Sequence, residues 1–417
     1  MSTNELFLKL FDEGVFTELE AGFKCELVIA NGLISGVNSY AFSFDADVNK
    51  GAVSVASCKK ILKVYKLARL TGAPVIGIYS SNGVKLDEGS AVIDAYGEVV
   101  KEATSLSGVV PQISYIESAA LGVTALIANL ADVVICNKNA DFYVSAPSDI
   151  TAEQCAFEGT VDILSENGIE DVRRLISYLP ENNLSSPPVL DYEDSETADY
   201  KSIEAIADKN SVIEFKKDYA KGVRCALATV KGITTGFISF GGDELKDTLM
   251  YKAEAFVKLC DAYNISIVTL ANGSGITKEN ESRTLTALTK LTSAYASATC
   301  PKISVITEKA IGAAYITLAG KGANADYVIA LSDALVSSVD IDSAVAFFMG
   351  ERLASGEDRE LLKTEYINNC ATVYTAAENG SIDEIIEPEN IRQRVVNALE
   401  MLSSKRELTV SRKHSVK

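Results

Sequence analysis

Two stretches place a glycine directly before a helix-forming run: Ser118-Ala119-Ala120-Leu121-Gly122 opens into VTALIANLA, and Lys309-Ala310-Ile311-Gly312 opens into AAYITLAG. The first turn of a helix has unpaired N–H groups and the positive end of the helix dipole, and glycine lets a substrate oxygen approach without a Cβ in the way. The chemistry this suits is stabilisation of developing oxyanions, to which each positioned donor contributes roughly 3 kcal/mol. At a single strand-to-helix turn, glycine is more often there for tight packing. Its recurrence at the same place in two parts of one chain gives a functional use equal weight with packing.

Side-chain chemistry is sparse by comparison. The only histidine is His414, which excludes Ser-His-Asp and Cys-His catalysis elsewhere in the chain and any multi-histidine metal site. The eight cysteines are scattered without a Cys-x-x-Cys pair, so they read as reduced thiols of a cytoplasmic protein and no metal site is expected. Glu117 and Asp132 flank the first apolar run and read as its solvated ends rather than as a carboxylate pair. That run, Ser118 to Ala131, is too short for a membrane span of about 20 residues, and Met1 to Phe11 has neither secretory nor transit character. With 39 Lys and Arg against 57 Asp and Glu, the formal charge of −18 argues against nucleic-acid binding.

The elements that must position the two glycine turns come in duplicate. GVVPQISYIESAALGV at 108–123 aligns with ATCPKISVITEKAIGA at 298–313, so that Pro111 and Pro301, Ile113 and Ile303, and Gly122 and Gly312 share an offset of 190. Upstream, DEGVFTEL at 12–19 resembles DKNSVIEF at 208–215, and GAPVIGIYSSNG resembles YNISIVTLANGSG with an offset of 192 from Gly83 to Gly275. Each copy reads as an antiparallel hairpin (ELVIANGLISGV with YAFSFD; RCALATVKGITTGFISF), a helix over 54–71 or 245–263, and a short apolar strand over 74–79 or 265–270. LPENNLSSPPVLDYEDSE, from Leu179 to Glu196, has the composition of a linker and divides the chain into residues 1–190 and 191–417. The tail from Ser404 to Lys417, with Lys405, Arg406, Arg412, Lys413 and Lys417 against Glu407, reads as a solvated end.

The segments DEGVFTEL, GAPVIGIYSSNGVKLDEG, SGVVPQIS, LISYLPENNLSSPPV, FVKLCDAYNISIVT, ATCPKISVITEKAIGAAY and ENGSIDEIIEPENIRQRVVNALEMLSSKRE occur in an order that strongly resembles the carboxyltransferase subunits of biotin-dependent acyl-CoA carboxylases and decarboxylases, over about residues 5–416. The resemblance implies an α/β protein of two tandem crotonase-like domains built from repeated ββα units, the first taking acyl-CoA and the second biotin. It implies a homo-oligomer, a trimer of dimers, in which the two domains of different subunits face each other. A biotin carboxyl carrier protein, together with a biotin carboxylase or a membrane decarboxylase subunit, would be its partners. It further implies that carboxybiotin on a carrier releases carbon dioxide and that the cofactor itself takes the α-proton of a coenzyme A thioester. No side-chain base is then needed.

Carried over by position, the family's Gly-Gly pair falls on Gly122 and Val123, whose amides would hold the thioester oxygen. Its Gly-Gly-Ala-Tyr segment falls on Gly312, Ala313, Ala314 and Tyr315, with the amides of Ala313 and Ala314 at the biotin ureido oxygen. Ile316 takes the position that influences acyl-chain choice. The Ser-Gly-Gly-Ala-Arg loop becomes Ser81-Asn82-Gly83-Val84-Lys85, where Lys85 could meet a CoA phosphate, and the Asp-x-Pro-Gly-Phe loop becomes Asn272-Gly273-Ser274-Gly275-Ile276. Val123 puts a β-branched side chain where the family has glycine. The rival readings are a divergent non-catalytic scaffold subunit and, less favoured, a cofactor-free hydrolase or hydratase.

Overall fold

The computed structural model describes residues 2–407 apart from 146, 147, 149, 196, 198 and 243, so Arg412, Lys413, His414 and Lys417 of the tail lie outside the described residues. The chain forms two compact units, Met1–Pro188 with Phe215–Tyr219 and Val189–Glu214 with Ala220–Lys417.

In the first unit the elements run α1 (Thr3–Leu10), β1 (Phe16–Leu19), β2 (Leu27–Ile34), β3 (Val37–Phe44), α2 (Val55–Thr71), β4 (Val75–Ser81), α3 (Ser90–Leu106), β5 (Gln112–Leu121), α4 (Val123–Ala128), β6 (Val133–Asn137), β7 (Asp141–Tyr143), α5 (Ala152–Phe157), β8 (Ile163–Ser165) and α6 (Gly168–Tyr178). The second unit begins with β9 (Ile213–Phe215), whose last residue belongs to the first unit. It continues through β10 (Val223–Val230), β11 (Ile233–Phe240), α7 (Asp247–Ala262), β12 (Ser266–Gly273), α8 (Glu281–Ser297), β13 (Lys302–Ile311), α9 (Ala313–Leu318), β14 (Tyr327–Leu331) and β15 (Leu335–Ser337). It ends with α10 (Ile341–Phe348), α11 (Gly350–Ala354), α12 (Arg359–Tyr366), α13 (Val373–Glu378), β16 (Glu384–Ile386) and α14 (Ile391–Leu402).

The two sheets have one topology. Strand order is β1-β2-β3-β4-β5-β6-β8 with β7 on β5, and β9-β10-β11-β12-β13-β14-β16 with β15 on β13. An antiparallel hairpin enters each sheet, and the strands that follow pair in parallel, as the duplicated ββα pattern predicts.

The hairpins close through Ser35-Gly36 (φ 49° and 80°) and Lys231-Gly232 (φ 49° and 78°). Left-handed backbone at both central positions is what a two-residue turn needs to match the twist of its strands. The same side-chain latch holds both turns. Asp12 accepts from the N–H groups of Ser35 at 2.9 Å and Gly36 at 2.8 Å and pairs with Arg173 at 2.7 Å. Asp208 accepts from Lys231 at 3.1 Å and Gly232 at 2.8 Å and pairs with Arg392 at 2.7 Å. Burial opposes the charge on Asp12, yet the Gly36 N–H and the Arg173 guanidinium outweigh it and hold the carboxyl below its ordinary value.

Asp208 has only 1% of its side chain exposed and Arg392 18%. Asp208→Ala therefore leaves a largely buried guanidinium without this partner and should cost about 3 kcal/mol in urea unfolding. Arg392 keeps the more exposed Asp194 at 2.5 Å, so a loss near zero would show that this outer carboxylate alone suffices.

Between the sheets and their helices lie separate apolar cores. The first gathers Leu27, Phe42, Phe44, Cys58, Ile61, Tyr65, Tyr79 and Val99, and the second Ala226, Phe237, Val268, Val305, Ile329 and Val395. Among the described residues, α10 and α12 form a further small core of Ala344, Val345, Leu362 and Tyr366.

Three expectations change. The run Ala119–Leu121, whose small residues before the glycine turn predict a loop, is the end of β5, because it finds a parallel partner in β7, and Lys309–Ile311 likewise pairs with β15. The linker is tied down: Asn182 Nδ2 donates to the Gly72 carbonyl at 2.9 Å, Asn183 N–H to Val109 at 3.0 Å and Leu190 N–H to Gly232 at 2.8 Å. In the tail, Lys405 is docked rather than solvated, reaching Asp326 at 2.9 Å and the Cys300 carbonyl at 3.1 Å.

Candidate functional site

Each sheet carries an irregularity at the strand that leads to its glycine turn. Tyr79 faces Ile116 but Ser80 faces Ala119, so Glu117 and Ser118 are extra residues on β5. In the second unit Ala271 faces Ile306 and Gly273 faces Ala310, which sets Asn272 against residues 307–309. Such bulges re-aim a strand end. Both bring a carboxylate onto the neighbouring strand: Glu117 accepts from Ser80 Oγ at 2.9 Å and Glu308 from Asn272 Nδ2 at 3.1 Å. These two pairs escaped the sequence reading because they depend on register. The second bulge is on β13, so only a pairing map reveals that Asn272 meets Glu308.

Beyond the bulges the chain turns at Gly122 (φ 63°, ψ −132°) into α4 and at Gly312 (φ 56°, ψ −123°) into α9. These conformations are closed to residues with a Cβ. A Cβ on Gly122 would meet nothing within 4 Å, so this face of the turn is open, whereas on Gly312 it would stand 3.1 Å from the Ser338 carbonyl oxygen. Gly122 N–H donates to the Tyr143 carbonyl at 2.9 Å, and Gly312 N–H to Ser337 at 2.8 Å. The glycine amides are thus engaged by β7 and β15. The donors left at the first two helical positions, which have no intrahelical acceptor, are Val123 and Thr124 in one unit and Ala313 and Ala314 in the other. Ala313 and Ala314 are the two residues named from the sequence in the second unit. In the first unit, the Gly122 N–H of the named Gly122–Val123 pair is taken by the Tyr143 carbonyl.

The first turns of α4 and α9 are fixed from below. Thr124 Oγ1 is 2.7 Å from Tyr96 Oη and 3.5 Å from Ser81 Oγ. Burial pushes the Tyr96 phenol well up, so it stays protonated and available to this contact. At the equivalent place in the second unit, a Cβ on Gly273 would stand 3.0 Å from the Ala314 methyl. Val123 packs its side chain against the apolar core of its unit. Its β-branch is therefore accommodated by the core.

The loops after β4 and β12 are pinned alike. Val53 N–H donates to Gly83 at 2.8 Å and Lys85 N–H to Val53 at 2.8 Å; Leu245 N–H donates to Gly275 at 2.9 Å and Thr277 N–H to Leu245 at 3.2 Å. A Cβ on Gly83 would be 3.4 Å from the Leu121 carbonyl oxygen, which brings this loop beside the turn at Gly122. Lys85 is engaged by Glu88 at 3.1 Å and Asp87 at 3.6 Å. The hydrogen bond to Glu88, with the charge of Asp87, raises its ammonium above the ordinary value.

In the second unit Gly312, Ala313, Tyr315 and Ile316 line one open cavity of about 540 Å³, together with Ser337, Ser338, Tyr366, Cys370 and Ser381. Tyr315 Oη donates to the Ser381 carbonyl at 3.1 Å, and Ile316 is 54% exposed. A volume of this size with apolar walls and a few converging polar groups suits a small organic ligand. Glu117 and Asp132 are not brought together: Asp132 accepts from Ser107 Oγ at 2.8 Å and Gln112 N–H at 3.0 Å, at the opposite end of β5. Among the described residues no group of three or more His, Cys, Asp or Glu is arranged to hold a metal, and no helix is long and apolar enough to cross a membrane.

Residues 8–416 match the family model of the carboxyl transferase domain. The chain is 29% identical to the methylmalonyl-CoA decarboxylase subunit alpha of Propionigenium modestum, covering 99% of this chain and 92% of that one. It is 30% identical to the propionyl-CoA carboxylase beta chain of Saccharopolyspora erythraea, over 97% and 88% of the two. Among solved structures it resembles the transcarboxylase 12S hexamer with methylmalonyl-coenzyme A and methylmalonic acid bound, at a TM-score of 0.92 and 26% identity, covering 100% of this chain and 92% of that one.

Proposed function

Because the chain belongs to the carboxyl transferase domain family of biotin-dependent acyl-CoA carboxylases and decarboxylases, we propose that it moves a carboxyl group between carboxybiotin on a separate carrier protein and a small acyl-CoA ester. The observation that carries this reading is the duplicated glycine turn, which leaves two N–H donors at the head of α4 and two at the head of α9. Enolate chemistry next to a thioester develops charge on an oxygen, and fixed backbone donors stabilise it without reorganising.

In this reading the first unit takes the acyl-CoA. The N–H groups of Val123 and Thr124 hold the thioester oxygen, with the Gly83 loop beside them. The second unit takes biotin: the amides of Ala313 and Ala314 hold the ureido oxygen, and the cavity of about 540 Å³ beside Tyr315 and Ile316 has room for a small fused ring. Biotin, when bound, supplies the carbon dioxide and the base, which fits a chain whose single histidine is His414. Four donors at roughly 3 kcal/mol each are an upper bound on their effect, because donors acting on one oxygen are not additive. We extend the reading to a cytoplasmic homo-oligomer, a trimer of dimers like the hexamer of transcarboxylase 12S, served by a biotin carboxyl carrier protein.

The test is decarboxylation of malonyl-, methylmalonyl- and glutaconyl-CoA by the purified chain, with free biotin or a carrier domain and a control without biotin. Turnover that requires biotin is expected. Silence across the panel in a folded oligomer would overturn the catalytic reading in favour of a scaffold subunit.

A further inference from the structure

The first unit carries buried hydroxyls where its two remaining donors stand; at the matching place the second unit has a methyl. Tyr96 on α3, Thr124 in the first turn of α4 and Ser81 at the end of β4 are each no more than 2% exposed. Tyr96 Oη lies 2.7 Å from Thr124 Oγ1, the usual length of an O–H···O hydrogen bond. Ser81 Oγ completes the group through longer contacts, 3.5 Å to Thr124 Oγ1 and 3.3 Å from the Gly83 N–H that donates to it.

The duplicate turn shows that the fold does not require this arrangement. Ala314 occupies the position of Thr124 in the second copy, and its methyl packs towards Gly273. The helix that follows is held instead beyond its first turn: Thr317 Oγ1 meets Thr292 Oγ1 at 2.8 Å, and Ser304 Oγ donates to the Leu318 carbonyl at 2.7 Å. Taking hydroxyls out of water is tolerated only when each finds a partner, so a buried polar group where a methyl would serve selects one arrangement of the elements it joins.

What it selects follows from the covalent chain. The Thr124 N–H is one of the two remaining donors, and its Oγ1 is joined to that nitrogen through Cα and Cβ alone. Anchoring Oγ1 to Tyr96 fixes χ1 of a side chain that has few rotamers to choose from, and with it the rotation of the first turn. Ser81 extends the constraint to the Gly83 loop, whose N–H it accepts.

We propose that Tyr96 is a positioning residue for carboxyl transfer: through Thr124 it sets the head of α4 so that the Val123 and Thr124 amides converge on one oxygen. The assignment rests on the carboxyltransferase reading for the reaction, and on the hydroxyl group alone for the positioning.

Tyr96→Phe, which keeps the ring and removes the hydroxyl, tests both parts in the full chain. Hydrogen exchange should quicken at residues 122–128 and 82–85 while the strands of the sheet exchange as before. The kcat for carboxyl transfer should fall about tenfold or more with the KM for acyl-CoA held, because misplaced donors act on the transition state. Two further variants separate the hydroxyl from packing. Thr124→Val keeps the branched shape and loses the hydroxyl, and should fall with Tyr96→Phe; Thr124→Ser keeps the hydroxyl and should retain the greater part of kcat. The reverse order, unaltered kcat in Tyr96→Phe or a loss confined to KM overturns the role in transfer, and unaltered exchange at the turn overturns the positioning. Faster exchange at the turn in a chain that transfers no carboxyl group would leave the positioning standing and remove the carboxyltransferase reading instead.

Discussion

Gly122→Ala should lower carboxyl transfer by about 100- to 1,000-fold while leaving the oligomer assembled. The reason is conformational. Gly122 holds φ 63° and ψ −132°, a combination that costs a residue with a Cβ about 1 to 3 kcal/mol, and the added methyl meets nothing within 4 Å. The chain can therefore accept the methyl, but only by rotating the turn, and that rotation swings the N–H groups of Val123 and Thr124 off the position the thioester oxygen would occupy. An interaction made more strongly in the transition state than in the ground state should show as a fall in kcat rather than a rise in KM. Size-exclusion chromatography and a turnover assay on the same preparation check it. A variant with unaltered kcat would remove the head of α4 from the mechanism.

Gly51→Ala should have the larger effect on stability, about 3 kcal/mol or more in urea unfolding, and should lose activity as well. Gly51 sits at φ 64°, and a Cβ there would stand 2.1 Å from the Ser80 carbonyl oxygen and 3.2 Å from the Ser81 Cα. Both are backbone atoms at the end of β4, where Ser80 and Ser81 pair with Ala119 and Ala120, so neither can rotate away. Relief has to come from displacing the strand end that carries the Gly83 loop. Gly36→Ala is the control: Gly36 is also at positive φ, 80°, yet a Cβ there meets nothing within 4 Å, and the cost should be near 1 kcal/mol. Equal losses in the two variants would show that backbone conformation, and not the approach to Ser80, sets the cost.

Much of the fold was legible because duplication and periodicity are local properties. The two antiparallel hairpins follow from β-branched runs around glycine, whereas their turns put Ser35 and Lys231 at positive φ, which residue type does not dictate. The helices expected over 54–71 and 245–263 appear as Val55–Thr71 and Asp247–Ala262, the first opened by the side chain of Ser54 and closed by Gly72 in left-handed conformation. The short strands β7 and β15 were missed. Three residues carry too little pattern to register, and they exist as strands only because β5 and β13 offer them an edge.

The site was legible to the level of the turn and no further. Gly122 and Gly312 are marked by type and by their offset of 190, but which amides remain available depends on carbonyls at Tyr143 and Ser337, far along the chain. Lys85 is the opposite case, its partners Asp87 and Glu88 being close neighbours in sequence, whereas Val123 depends on the fold, because its side chain packs against the core.

By itself, the sequence determined the duplicated α/β architecture, the absence of histidine chemistry outside the tail and the two glycines where backbone must turn sharply. These follow from composition and from preferences acting over a few residues. Only the tertiary structure decided which donors are left open, which carboxylates the strand bulges deliver and which hydroxyls meet beneath the head of α4. Hydrogen bonds and ion pairs are settled by distances of about 3 Å between groups tens of residues apart, and nothing in local pattern encodes those distances.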